Sequence, residues 1–120
     1  MSDIYYEGGV SYTVQRAFTN VAASSTDGAF VTAVASQSVR VLGAVISAVG
    51  AATVVTFNSK PSGAGTAISA TFTVPVSTSG WVTLPYVRDG WFQSNSGEGL
   101  TVTTGSGSTL GIQIIYVVIT

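Results

Sequence analysis

The chain contains no cysteine and no histidine among its 120 residues. Without cysteine there is no disulfide to staple the fold, and redox chemistry says nothing about compartment. Zinc sites of the Cys/His type are excluded, and so is the side chain that most often moves protons near neutral pH. Charge is scarce as well. Asp, Glu, Lys and Arg make up 8% of the residues, against roughly 25% in an ordinary soluble domain. The four basic residues, Arg16, Arg40, Lys60 and Arg88, are scattered. A nucleic-acid partner needs them clustered against phosphates, so none is expected. No run approaches the ~18 apolar residues of a membrane-spanning helix, and no membrane partner is expected. The start, Met1 to Glu7, has neither a basic stretch nor an apolar core, so it does not read as a signal peptide. These absences point to a protein made in a cytoplasm and soluble there until it assembles.

What is present is β-structure. Mean hydropathy is +0.50, and Ser and Thr must supply most of the polar surface. Low charge favours association, so a permanent assembly is expected to cover much of that surface. Val, Ile, Thr, Phe and Tyr fill short runs punctuated by Gly, Ser and Asn, the pattern of strands and turns. Residues 66–74 alternate cleanly, with Ile68, Ala70, Phe72 and Val74 opposite Ser69, Thr71 and Thr73. Tyr12, Val14 and Phe18 fall on one side of a strand over 11–18. About eight strands are expected, near 11–18, 28–35, 38–49, 52–58, 66–74, 80–86, 98–104 and 110–119, a number that suggests an antiparallel β-sandwich or jelly roll. Residues 11–120 form one such all-β domain, and residues 1–10 read as an extended N-terminal arm jointed at Gly8-Gly9. Two stretches, 39–49 and 112–119, are apolar on both faces and want cover on both. The β-branched content of the first argues against a buried helix. In a sandwich the outer face of each sheet normally meets solvent, so the spare faces are interface candidates.

Catalytic constellations are missing. The five acidic residues are Asp3, Glu7, Asp27, Asp89 and Glu98. An Asp89–Glu98 glycosidase pair is disfavoured, since lone loop carboxylates are usually solvated. Ser59-Lys60 is the one Ser–Lys neighbour, and it sits in a Pro/Gly turn where a lysine is normally a solvated tip. The Gly-rich stretches precede no helix and match no phosphate-binding fingerprint, and the acidic spacing is not that of a calcium loop. No catalytic residue, metal or cofactor is assigned. Trp81 reads as core. Trp91 and Phe92 are adjacent, so in a strand one of them must leave the core. The subunit-interface candidates are therefore Ile114, Tyr116 and Val118 of the last strand, with Trp91 and Phe92. Ile4, Tyr5 and Tyr6 are candidates for an arm contact with a larger shell.

Four stretches carry a resemblance. They are Val39-Arg40-Val41-Leu42-Gly43-Ala44-Val45-Ile46-Ser47-Ala48, Val55-Thr56-Phe57-Asn58-Ser59, Gly90-Trp91-Phe92-Gln93-Ser94-Asn95-Ser96-Gly97-Glu98-Gly99-Leu100 and Gly111-Ile112-Gln113-Ile114-Ile115-Tyr116-Val117. In these the chain resembles the small jelly-roll decoration, or cement, proteins of tailed-bacteriophage heads. The resemblance implies a structural virion protein on the outer surface of the capsid. It implies a homotrimer over junctions of the major capsid protein that stabilises the shell, with no cofactor and no enzymatic activity. Similar domains occur in phage tails and fibres, so the alternative is the receptor- or carbohydrate-binding head of a tail fibre.

Overall fold

Runs of β-branched and aromatic residues closed by Gly, Ser or Asn favour extended backbone over helix. A computed structural model describes residues 4–120, and every regular element in it is a strand. In order these are β1 (Ile4–Glu7), β2 (Val10–Thr13), β3 (Gln15–Val21), β4 (Gly28–Val31), β5 (Ser38–Ala48), β6 (Thr53–Lys60), β7 (Thr66–Ala67), β8 (Phe72–Val74), β9 (Val82–Leu84), β10 (Phe92–Gln93), β11 (Gly99–Thr104) and β12 (Leu110–Ile119). Each strand read from the alternation is present. The strands expected over 11–18 and 66–74 are each broken in two, the first at Val14 between β2 and β3 and the second between β7 and β8, and β1 and the short β10 fall outside the eight expected.

The strands form two five-stranded antiparallel sheets and a separate hairpin. One sheet runs β10–β5–β12–β3, with β9 also pairing along β5. The other runs β4–β11–β6–β7, with β8 also on β6. Their inner faces share one apolar core: Val41, Ile46, Ile112 and Ile114 from the first sheet meet Val55, Phe57, Leu100 and Val102 from the second. Phe92 stacks on Phe57 with ring centres 4.7 Å apart. The architecture is sandwich-like and all-β.

A bulge in β5 explains one doubly apolar stretch. Opposite β12 the register slips between Ile115 and Tyr116, so that these pair with Gly43 and Val41 and leave Leu42 as the extra residue. The slip reverses the alternation. Val39 and Val41 face the core before it, and Ala44, Ile46 and Ala48 face the same core after it, while Leu42 points to the outer side.

The outer side at this end of the sheet is itself buried. Leu42, Val117 and Ile119 form a second apolar cluster with Tyr5 and Val14, and Tyr12 and Ile115 pack against it. The cover thus comes from the chain's own N-terminal segment. This differs from the expected extended arm. Residues 1–3 lie outside the described residues. From Ile4 onward the segment folds into the β1–β2 hairpin, and Gly8 and Gly9 are its two-residue turn, with φ of 57° and 77°. Two successive positive φ angles are what such a tight hairpin turn requires. The physical reason is burial. Tyr5 keeps only 2% of its surface exposed, and each fully buried large apolar side chain contributes roughly 1.5–3 kcal/mol. A free arm would leave that area, and the sheet face beneath it, in water.

Candidate interaction surface

Beyond the hairpin, the same outer face is open. The ladders set Phe18 of β3, Gln113 of β12, Val45 of β5 and Thr83 of β9 side by side in one row across four strands. In the next row Asn20, Gly111 and Ser47 stand together, and Trp81 immediately precedes β9. Directly opposed residues in an antiparallel pair share a face, so the rows form one surface. Phe18 is 81% exposed, Trp81 62% and Tyr86 56%. Gly111 lays a low floor between them: a Cβ there would touch Ser47 Oγ at 3.4 Å and Asn20 Oδ1 at 3.6 Å. Two shallow depressions result, of about 300 and 330 Å³, meeting at Val45 and Gln113. The first is bounded by Arg16, Gly43 and Tyr86, the second by Phe18, Asn20 and Trp81.

The charged groups elsewhere are engaged. Arg40 donates from one guanidinium nitrogen to Glu7 at 2.5 Å and to the Tyr5 hydroxyl at 2.6 Å, and from Nε to Gln93 at 2.7 Å. The Tyr5 hydroxyl donates to the Arg88 carbonyl at 2.9 Å, and Arg88 donates to the Tyr6 carbonyl. Both guanidinium groups lie near the Tyr5 ring, at 5.9 and 5.2 Å from its centre. The hairpin is thus clipped to the loop between β9 and β10. The Arg40 hydrogen bond holds the Glu7 carboxyl below its ordinary range. Burial works against the Arg40 charge, but the Glu7 and Tyr5 hydrogen bonds outweigh it and raise its pKa. Asp27 accepts from Asn58, Thr101 and the Gly65 amide, and Glu98 accepts from Ser59 and Asn95. The two ion pairs among the described residues are Arg40–Glu7 and Arg88–Asp89, so Arg16 has no carboxylate partner among them.

The residues singled out from the sequence are scattered by this arrangement. Ile114 lies wholly inside the core, and Phe92 packs against it. Tyr116 also packs there and donates its hydroxyl to Gln15; with Val118 it borders an opening beside Phe30 and Val34. Alternation is the reason: positions 114, 116 and 118 share the inner face, while the outer positions 115, 117 and 119 lie beneath the hairpin. Trp91 is partly exposed and its indole donates to the Pro85 carbonyl at 2.7 Å. Ile4 and Tyr6 face outward on the hairpin, and Tyr5 faces inward. Trp81, read as core, stands on the open surface. Phe18 does not group with Tyr12 and Val14: Val14 lies in the cluster beneath the hairpin and Tyr12, on the hairpin's own β2, packs against that cluster, while Phe18 stands beyond the hairpin and exposed. The signal for this was present in β3: Ala17, Thr19 and Val21 are the small residues a sandwich interior admits, so Arg16, Phe18 and Asn20 had to face out.

Ser59 and Lys60 do not hydrogen-bond each other and are held by other groups. Ser59 is buried, donates to Glu98 and accepts from the Asn95 amide, while Lys60 caps the carbonyls of Pro61 and Gly63 in its own turn. Among the described residues no three Asp or Glu side chains gather to hold a metal ion. Comparison with family models, with curated proteins and with solved structures finds no match.

Proposed function

We propose that the chain is a structural virion protein, a decoration protein that assembles as a homotrimer on the outside of a phage head and stabilises the shell against the pressure of its DNA. The observation that carries this reading is the pairing order of the strands. β3 pairs with β12, β4 with β11, β5 with β9 and β10, and β6 with β7 and β8. This order supports reading the sandwich as one long antiparallel ribbon wrapped into two sheets, a jelly roll, the fold used for capsid and lectin domains. The step from fold to role is by analogy, and the resemblance in the four stretches above and the charge-poor surface support it. Ile4 and Tyr6, on the outward side of the hairpin, are the side chains best placed to meet the capsid protein. Partly exposed Trp91, Tyr116 and Val118 are the remaining trimer candidates, since Ile114 and Phe92 are occupied within their own subunit.

The test uses undecorated heads of the parent phage. Purified protein should bind them at saturating stoichiometry and raise the temperature of DNA release, because a ligand of the assembled state alone stabilises it by mass action. A Tyr6→Asp variant should bind more weakly. Equal release temperatures with and without bound protein would refute the cement role, and failure to bind heads at all would refute the location.

A further inference from the structure

We infer that the trough between Phe18 and Trp81 is a binding site for an acidic oligosaccharide. This goes beyond the shell-stabilising role and does not depend on it. Three observations favour a sugar over a protein partner. First, the trough interleaves aromatic rings with small polar groups. Phe18, Trp81 and Tyr86 offer flat apolar faces to the C–H side of a pyranose ring, while Asn20, Ser47, Thr83 and Gln113 stand between them with amides and hydroxyls that take no part in the hydrogen bonds of the described residues. Of these, Ser is among the residues depleted in protein interfaces. Second, the depressions of about 300 and 330 Å³ share a border at Val45 and Gln113, and each falls at the small end of the ligand-site range of roughly 300–1,000 Å³. The floor is low at Gly111, which carries no side chain between Ser47 and Asn20. Third, charge complementarity selects the ligand. Arg16 borders the first depression, no carboxylate lines either one, and a guanidinium fork matches a sugar carboxylate in two hydrogen bonds.

The site is tested by titration calorimetry of the whole protein with three acidic oligosaccharides: tetragalacturonate, tetramannuronate and sialyllactose. At least one should bind with a Kd between about 10 μM and 1 mM, and its methyl ester should bind at least tenfold more weakly. Phe18→Ala and Trp81→Ala should each weaken binding at least tenfold. Arg16→Gln should bring the acid down to the affinity of its ester. Gly111→Leu should abolish binding by filling the floor, and urea unfolding of the same variants confirms that they fold. No saturation with any of the three at about 5 mM would overturn the proposal. So would wild-type affinity in both aromatic variants, or equal affinity for acid and ester. Self-association that is lost in Phe18→Ala, without sugar binding, would assign the trough to a second copy of the chain and overturn the proposal as well.

Discussion

Replacing Tyr5 separates a docked hairpin from a free arm. Its ring is buried against Leu42, Val117 and Ile119, and its hydroxyl joins Arg40 to the Arg88 carbonyl. Tyr5→Phe keeps the ring and removes the hydroxyl's hydrogen bonds to Arg40, to the Arg88 carbonyl and, at 3.4 Å, to Glu7. Leaving such partners unmatched costs about 1–3 kcal/mol. Tyr5→Ala removes the ring as well and should cost about 3–5 kcal/mol, the usual range for truncating a buried aromatic. In a chain of this size each kcal/mol lowers Tm by roughly 3–6 °C. Tyr6→Ala is the control: its side chain points to solvent, so the change should stay within about 0.5 kcal/mol. Urea unfolding monitored by tryptophan fluorescence reads all three. If Tyr5→Ala costs no more than Tyr6→Ala, the hairpin does not contribute to the folded domain and the second core does not hold it.

The same clip responds to acid. Glu7 has its pKa lowered by the Arg40 hydrogen bond, so its contribution is complete above the ordinary glutamate value of about 4.3 and fades as pH falls through the lower folded value. Glu7→Gln should flatten the acid limb of the urea midpoint plotted against pH, and an unchanged limb would show that the pair is not formed in solution. At Gly99 a Cβ would lie 2.6 Å from the Val31 carbonyl oxygen and 2.9 Å from the Ala33 amide nitrogen; Gly99→Ala should cost about 1–3 kcal/mol by forcing β11 away from β4, and a neutral result in thermal unfolding would contradict that packing. Asp27→Ala withdraws an acceptor from Asn58 and Thr101, both buried, and should cost about 1–3 kcal/mol; a wild-type melting temperature would show that water replaces it freely.

The strands were legible because their period is written in the residues. Residues 98–104 and 110–119 alternate or stay apolar over several positions and form β11 and β12, whereas the alternation over 66–74 survives only in the short β7 and β8. Of the two doubly apolar stretches, the end holding Leu42, Val117 and Ile119 has cover on both sides, while Val45 stands on the open outer face. What covers them was not legible, because a hydrophobic face does not specify its partner. Tyr5 and Tyr12 are close in the chain to β3 but distant from Leu42 and Val117, and only the turn at Gly8-Gly9 brings the hairpin over the sheet. The bulge at Leu42 was hidden for a related reason: in an unbroken apolar run, a change of phase leaves no mark. Trp81 was misplaced because size and hydropathy favour the interior for tryptophan, and nothing local records that the opposing row holds Asn20, Gly111 and Ser47.

The position of β12 also governs how the chain can be made. The last ten-residue strand lies in the middle of its sheet, hydrogen-bonded to β3 on one side and β5 on the other. During synthesis, at roughly 5–20 residues per second, β3 and β5 emerge with an empty lane between them. β3 has no sheet partner until residues 110–119 have cleared the ribosome, and β5 has only the short β9 and β10 along its other edge. The long sequence separation of the β3–β12 pairing also slows folding once the chain is released. A nascent or prematurely terminated chain therefore exposes the apolar faces of both strands to chaperones and proteases, and stop codons placed before residue 110 should yield degraded fragments in pulse-chase labelling rather than a smaller stable domain.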